Sequence, residues 1–555
     1  MKRKTIKCLI ISVLLAFGLI FAVACDSDEN QATGGDATFN PTGELIMSQP
    51  ISITTWIEGG GDTDWDNHVL LQEIGERTNV FLDIIVGPTG GDGLTQRNLM
   101  FASGDYPEML LLDWPTMVTW SDVMQYGIRE GILLPVTDFI DSYGLNIHKL
   151  FDHNPYFRER MTAPDGEIYG VPRFSECFHC RAYPKIYVRT DWLEMLGMDM
   201  PTTTDELREV LYQFVHNNPA GVTDPIGITG ATEWNTMLEI GIIGMAFQTV
   251  VPDFWLNLAD DGVSVEISVM TDQFREGLRF LRGMYDDGLV DRAAFSQTAE
   301  ALGLTVRSTP HSVGMFVVDH PAMGFDLNNV DEARTYQALR EPLRGSTGFQ
   351  RQPDNANEGE FGGFHAVLTD AAQHPEAAFR WLDNIMLDQL LHRSRMFGPE
   401  GIGWEAAPVG TLNVFGDQAN FFRLDTADVD LLPYTLTVGP QPDIAPVRAG
   451  ELPMVEGDDI YLPEHYEQRI TMDTVTLLPF VPETRLQYNV FVPLEYLSEF
   501  NQIEASLNSF IRMSMAQFIV GDRDIEAEWE QYLDELRAFG IYRYLEIYKI
   551  ASGRN

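Results

Sequence analysis

The order of apolar patterns between residues 51 and 112 constrains the fold more than any other feature of the chain. Ile51-Ser-Ile-Thr-Thr-Trp-Ile57 alternates as a strand with one buried face does. Leu70, Leu71 and Ile74 follow at helical spacing, and residues 80–86 read as a second strand. A helical stretch near 94–101 and a short apolar strand over 109–112 complete the run. Strand, helix, strand, helix, strand is the order that builds a parallel α/β sheet. In such sheets a ligand sits beyond the carboxyl ends of the strands. Those ends carry Trp56 and Glu58 after the first strand, and Asp113 and Trp114 after the third.

The N-terminus reads as an address. Lys2, Arg3, Lys4 and Lys7 precede an almost uninterrupted apolar run from Cys8 to Ala24. A basic start, an apolar middle and small residues before a cut make a secretory signal, expected here over residues 1–24. The run is short against the ~20 apolar residues of a membrane span, the alternative reading. Ala22-Val-Ala-Cys25 resembles the lipobox of bacterial lipoproteins, with Ala22 where that pattern prefers Leu. The resemblance implies that Cys25 is lipidated and becomes the new N-terminus. Residues 25–45 are polar and Gly-containing, a tether too poor in apolar groups to bury itself.

The formal net charge is −45, and removing the four cations of the signal takes it to −49. Such a surface repels phosphate backbones, so nucleic acid is excluded as a partner class. Four cysteines are present. With Cys8 in the signal and Cys25 the lipid site, Cys177 and Cys180 remain. Cys177-Phe-His-Cys180 offers three zinc-ligand types but no matching second half, and outside the cell such a pair is more often a local disulfide or two idle thiols. No metal or cofactor is expected.

Further along, Thr203 and Glu206 form a capping box ahead of an apolar face of Leu207, Val210, Leu211 and Phe214. Pro375 opens a helix through Trp381 and Ile385. The last helix carries Trp529, Tyr532, Leu533 and Leu536 on one stripe, with Gly540 placed as its C-terminal stop.

Several punctuated segments together resemble the family 1 extracellular solute-binding lipoproteins of bacterial ABC importers, in the large-chain branch associated with oligosaccharides. They are Glu76-Arg-Thr-Asn-Val80, Ala102-Ser-Gly-Asp-Tyr-Pro-Glu108, Asp165-Gly-Glu-Ile-Tyr-Gly-Val-Pro172 and Tyr187-Val-Arg-Thr-Asp-Trp-Leu193. Gly288-Leu-Val-Asp291, His374-Pro-Glu-Ala-Ala378, Pro399-Glu-Gly401 with Trp404, and Phe539-Gly-Ile-Tyr-Arg-Tyr544 continue the match over roughly residues 48–550. The resemblance implies an α/β, two-lobe periplasmic-binding-protein-like fold of the class II type, with hinge crossovers and helical C-terminal additions. It places lobe 1 at 46–170 with about 335–395, and lobe 2 at 171–334 with about 396–555. The implied partners are a carbohydrate, the membrane permease subunits with a separate ATPase, and the outer face of the cell membrane through the lipid; a monomer is expected. One departure matters. Where many relatives carry an acidic calcium loop, residues 217–226 hold Asp224 as the only carboxylate, whereas calcium takes six to eight oxygen ligands. The metal is therefore not carried over.

Sugar recognition needs aromatic platforms for apolar ring faces, and donors and acceptors for hydroxyls. Trp56, Trp114, Trp234 and Trp404 lie in loop-like contexts, while Trp381 and Trp529 lie on helical stripes and read as core. Core packing is the competing reading for each of the loop tryptophans. Glu58 is the acceptor candidate. Arg189 is the donor candidate, with a structural pairing to Asp191 as the alternative. No G-x-S-x-G, H-E-x-x-H, P-loop lysine or strand-following G-x-G-x-x-G occurs. The expectation is a binding protein and not an enzyme. The alternatives are a binder of peptide or another non-sugar solute, and an extracellular glycoside hydrolase, for which no carboxylate pair is nominated.

Overall fold

Two sheets organise the protein, each flanked by helices. The structure is a computed structural model that describes residues 37–59, 63–114, 116–176, 178–233, 235–259, 261–353, 362–386, 389–424, 426, 429–444, 453–454 and 459–554. Residues 38–555 form a single compact unit, which contains both sheets.

The first sheet begins with β1 (Ile51–Glu58), α1 (Val69–Thr78), β2 (Val80–Gly87), α2 (Gly90–Ser103) and β3 (Met109–Leu111). β1 pairs parallel with β2 and with β3, as the alternation of strand and helix predicts. α1 ends where it does because Asn79 takes a left-handed φ of 58° and returns its amide to Gly75. β4 (Val171–Pro172) joins at the far edge.

The second sheet contains β5 (Lys185–Arg189), β6 (Ile226–Thr229), β7 (Val313–Val318) and β8 (Tyr336–Ala338) in the order β8-β5-β7-β6. Three helices flank it. α3 (Thr204–Tyr212) carries both hydrogen bonds of the expected capping box, and α4 (Leu238–Ala246) is buried all round. α5 (Asp272–Asp286) buries Phe274, Leu278, Leu281 and Met284 on one stripe. It meets α4 closely enough that a Cβ on Gly277 would lie 2.8 Å from Ile243.

β9 (Phe364–Leu368) returns to the first sheet, antiparallel between β3 and β4, giving the order β2-β1-β3-β9-β4. α6 (Pro375–Ile385) follows with Trp381 buried. The chain ends in α7 (Leu494–Val520), α8 (Ile525–Ala538) and α9 (Ile541–Ser552). These pack on α5, with Trp529, Tyr532 and Leu536 in the core.

The strand pairings locate the passages between the two sheets. Val171–Pro172 still belong to the first sheet, so the first passage spans residues 173–184. Tyr336–Ala338 still belong to the second. Arg351 remains bonded to Met245 O at 3.0 Å, and Phe364 is back in the first sheet, so the return falls between them. Residues 436–443 also stay with the first sheet's layer: Gly439 N donates to Leu112 O and Phe174 N to Gln441 O. This last attachment has a visible cause. The buried Arg395 guanidinium donates to the carbonyls of Leu436 (2.8 Å), Val438 (2.7 Å) and Pro440 (2.7 Å). Arg395→Ala strands those acceptors and leaves a void, so it should cost about 3–5 kcal/mol of stability in urea unfolding.

Candidate ligand cleft

Each sheet presents one edge to the passage between them, and these two edges are the candidate walls of a ligand cleft. On the first sheet this edge holds the carboxyl ends of β1, β3 and β4 and the start of the antiparallel β9. On the second it holds the ends of β6 and β7 and the start of β5. Residues 173–184 run from Arg173 on one wall to Lys185 on the other.

On the first wall Glu58 is only 1% exposed. Its carboxylate accepts from Gly90 N at 3.0 Å, from Asp113 N at 3.0 Å and from the Thr116 hydroxyl. It thereby ties the end of β1 to the first turn of α2, where negative charge is favoured, and to the turn after β3. Glu58 is saturated and acts as the support of that turn. The turn presents Trp114, 48% exposed, whose amide donates to Asp113 Oδ1. The indole lies over Gly362, where a Cβ would come within 2.0 Å of the ring, and meets the His365 ring edge-on at 6.2 Å. A broad aromatic face is thus held open beside Asp113, whose carboxyl is pushed up by burial against the opposing pull of the Trp114 amide and the Arg173 charge.

His365 is buried, and its Nδ1 accepts from Arg173 N at 3.2 Å. Burial first, then the Arg173 charge, lower its pKa from 6.5 to about 3. A base depressed in the folded state gives stability that is complete above about pH 6.5 and lost as pH falls toward 3. At about 1.4 kcal/mol per unit this single group is worth several kcal/mol in acid. His365→Gln keeps an acceptor for Arg173 N, and its unfolding midpoint should fall less steeply than the wild type's between those pH values.

On the second wall Asp319 and His320 follow the fully buried β7. Asn235 Nδ2 donates to Asp319 Oδ2 at 2.7 Å, and His320 N donates to Oδ1 at 2.6 Å. Burial nevertheless holds the Asp319 carboxyl above its usual range. Lys185 Nζ donates to His179 O at 3.0 Å and lies 4.8 Å from the Tyr183 ring centroid. Burial lowers its pKa to about 8 against the pull of Asp473 and Asp319. His320 packs between the rings of His179 and Tyr466, each 5.9 Å away. The walls therefore carry an open indole, two carboxylates and an amide, with the Lys185 ammonium buried behind them, a mixture of the kind that a polyhydroxylated ligand requires.

Of the candidate ligand residues that the structure describes, Trp114 alone stands exposed on a wall. Trp56 is 0% exposed, its ring filling the space over Gly87, where a Cβ would come within 2.0 Å. Trp404 is buried against Phe421 and Arg393. Arg189 sits at the opposite end of β5 from Lys185. It binds Asp191 through Nε at 2.9 Å and Nη2 at 3.0 Å, the structural pairing. Trp234, Cys25 and Cys177 lie outside the described residues, while Cys180 is disulfide-bonded.

Sequence reasoning missed Lys185, Asp319, Asn235 and His365. Two signals were available. Lys185 is the only lysine between Lys149 and Lys549 and opens an apolar run, and Asp319 ends another.

Residues 71–242 match the family model described as bacterial extracellular solute-binding protein. Over 97% of its length, and 96% of the relative's, the chain is 26% identical to the fructooligosaccharide ABC transporter substrate-binding protein FusA of Streptococcus pneumoniae. It is 24% identical, over 51% of each chain, to the polygalacturonan/rhamnogalacturonan-binding protein YtcQ of Bacillus subtilis. Its fold superposes on S. pneumoniae FusA in complex with kestose with a TM-score of 0.72, covering 90% of this chain and 98% of that one at 23% identity. With the two-sheet architecture, these findings make the chain similar to bacterial extracellular solute-binding proteins in sequence over residues 71–242 and in fold over most of its length. The relatives are named for binding.

Proposed function

We propose that the protein is the extracytoplasmic substrate-binding component of an ABC importer, capturing a neutral oligosaccharide between two lobes and delivering it to the membrane permease. The observation that carries this reading is Trp114, half-exposed at the crossover edge of the first sheet, with the Asp319–Asn235 pair at the crossover edge of the second. The full-length likeness to a fructooligosaccharide-binding relative supports a sugar over a peptide. A neutral sugar is favoured over a uronic one because Asp113 and Asp319 line the walls and the whole chain is at −45, which repels polyanions.

In this reading lobe 1 comprises about 46–172 with 362–386, and lobe 2 comprises 185–353 with the C-terminal helices. A ligand touching both walls favours the closed state, which the permease subunits recognise. No step breaks a covalent bond, and the energy of import comes from a separate ATPase. Cys25 carries the lipid that holds the monomeric protein at the outer face of the cell membrane.

Thermal shift of the soluble protein against fructooligosaccharides, oligogalacturonides and short peptides tests the reading. The neutral sugars should raise the midpoint by mass action. A shift with peptides and none with sugars would refute it.

A further inference from the structure

A second cavity, of about 450 Å³, lies behind the loop that carries Asn235, where α4 meets α7. Its lining includes Glu239, the second residue of α4 and the only charged residue on a helix that is buried throughout. Glu239 is 5% exposed, and its carboxyl meets its own backbone amide but accepts from no other described residue. The nearest cation, Arg512, is committed elsewhere: it holds Asp253 Oδ1 at 2.8 Å and donates to Thr232 O at 2.7 Å. A second lining arginine, Arg292, is exposed and has no partner among the described residues. The rest of the lining includes the apolar side chains of Met237, Phe295 and Val520 together with Arg512 and Asp522.

A buried carboxyl with no partner beyond its own amide costs stability and returns little, so a core has no packing reason to keep it. An ammonium entering the cavity would supply that partner. A carboxylate on the same molecule would meet Arg292 at the mouth, and an apolar body would cover Met237 and Phe295. We infer that this cavity is a second binding site, distinct from the cleft, for a small zwitterion with an apolar side chain, of the size of a free amino acid or a dipeptide. The volume fits, since small-ligand pockets run from about 300 Å³ upward. Burial also raises the Glu239 pKa to about 7, so an incoming ammonium finds an acid that is readily ionised in response. The site is independent of the carbohydrate reading, because none of its side chains belongs to the cleft walls.

The test is calorimetric titration of the soluble protein with L-leucine and with leucyl-leucine, each to about 10 mM, where a site of millimolar affinity fills. Saturable binding of at least one probe is expected. Glu239→Gln should weaken it by about tenfold or more and Arg292→Ala by about fivefold, the loss of charge-assisted hydrogen bonds. Neither variant should alter carbohydrate binding, whereas Trp114→Ala should alter that alone. Glu239→Gln should also be at least as stable as the wild type in urea, because no partner on another residue is lost. Absence of saturable binding by both probes, or binding unchanged in both variants, would overturn the proposal. So would a marked loss of stability in Glu239→Gln, which would make Glu239 a structural acid.

Discussion

Trp114→Ala should weaken ligand binding by about 2 kcal/mol or more, about thirtyfold in dissociation constant, while leaving the fold almost intact. The two halves of this expectation come from one fact. The indole is 48% exposed, so truncation removes little buried area, yet its exposed face is a broad aromatic surface. Its placement is built in: Glu58 fixes the turn, Asp113 fixes the amide, and the bare backbone of Gly362 accepts the ring. Affinity by calorimetry and the urea midpoint, measured on the same preparation, separate the two effects. Unchanged affinity would remove Trp114 from the site.

The converse holds for Trp56→Ala. This ring is wholly buried beside β2, and its removal should cost about 3–5 kcal/mol of stability. The void cannot close, because eight register pairs hold β1 against β2 on one side and β3 flanks it on the other. The folded fraction should bind ligand with near wild-type affinity. A Trp56→Ala protein that is stable but fails to bind would return Trp56 to the cleft.

The contrast between these two tryptophans marks what a sequence can convey. Periodicity located β1, β2 and β3 and their parallel pairing, because the apolar alternation of a half-buried strand is local. The capping box at Thr203 and Glu206 and the helix opened by Pro375 were legible for the same reason. The sheet-edge rule found the turn at Asp113–Trp114, but it could not say which side chains at a strand end face outward. Trp56 turns inward over Gly87, and Glu58 folds back on the α2 amide. The second wall was not legible. Lys185, Asn235, Asp319 and Asp473 converge from segments far apart in the chain, and no local pattern encodes that meeting. The attachment of residues 436–443 to the first sheet's layer was hidden likewise, since Arg395 holds its carbonyls through tertiary contacts.

A neutral oligosaccharide should bind against the exposed Trp114 indole. Calorimetric titration of the soluble wild type and of Trp114→Ala with a short fructooligosaccharide tests it most directly. Saturable one-to-one binding by the wild type and about thirtyfold weaker binding by the variant are expected. Equal affinities, or no heat of binding with the folded wild type, would contradict it.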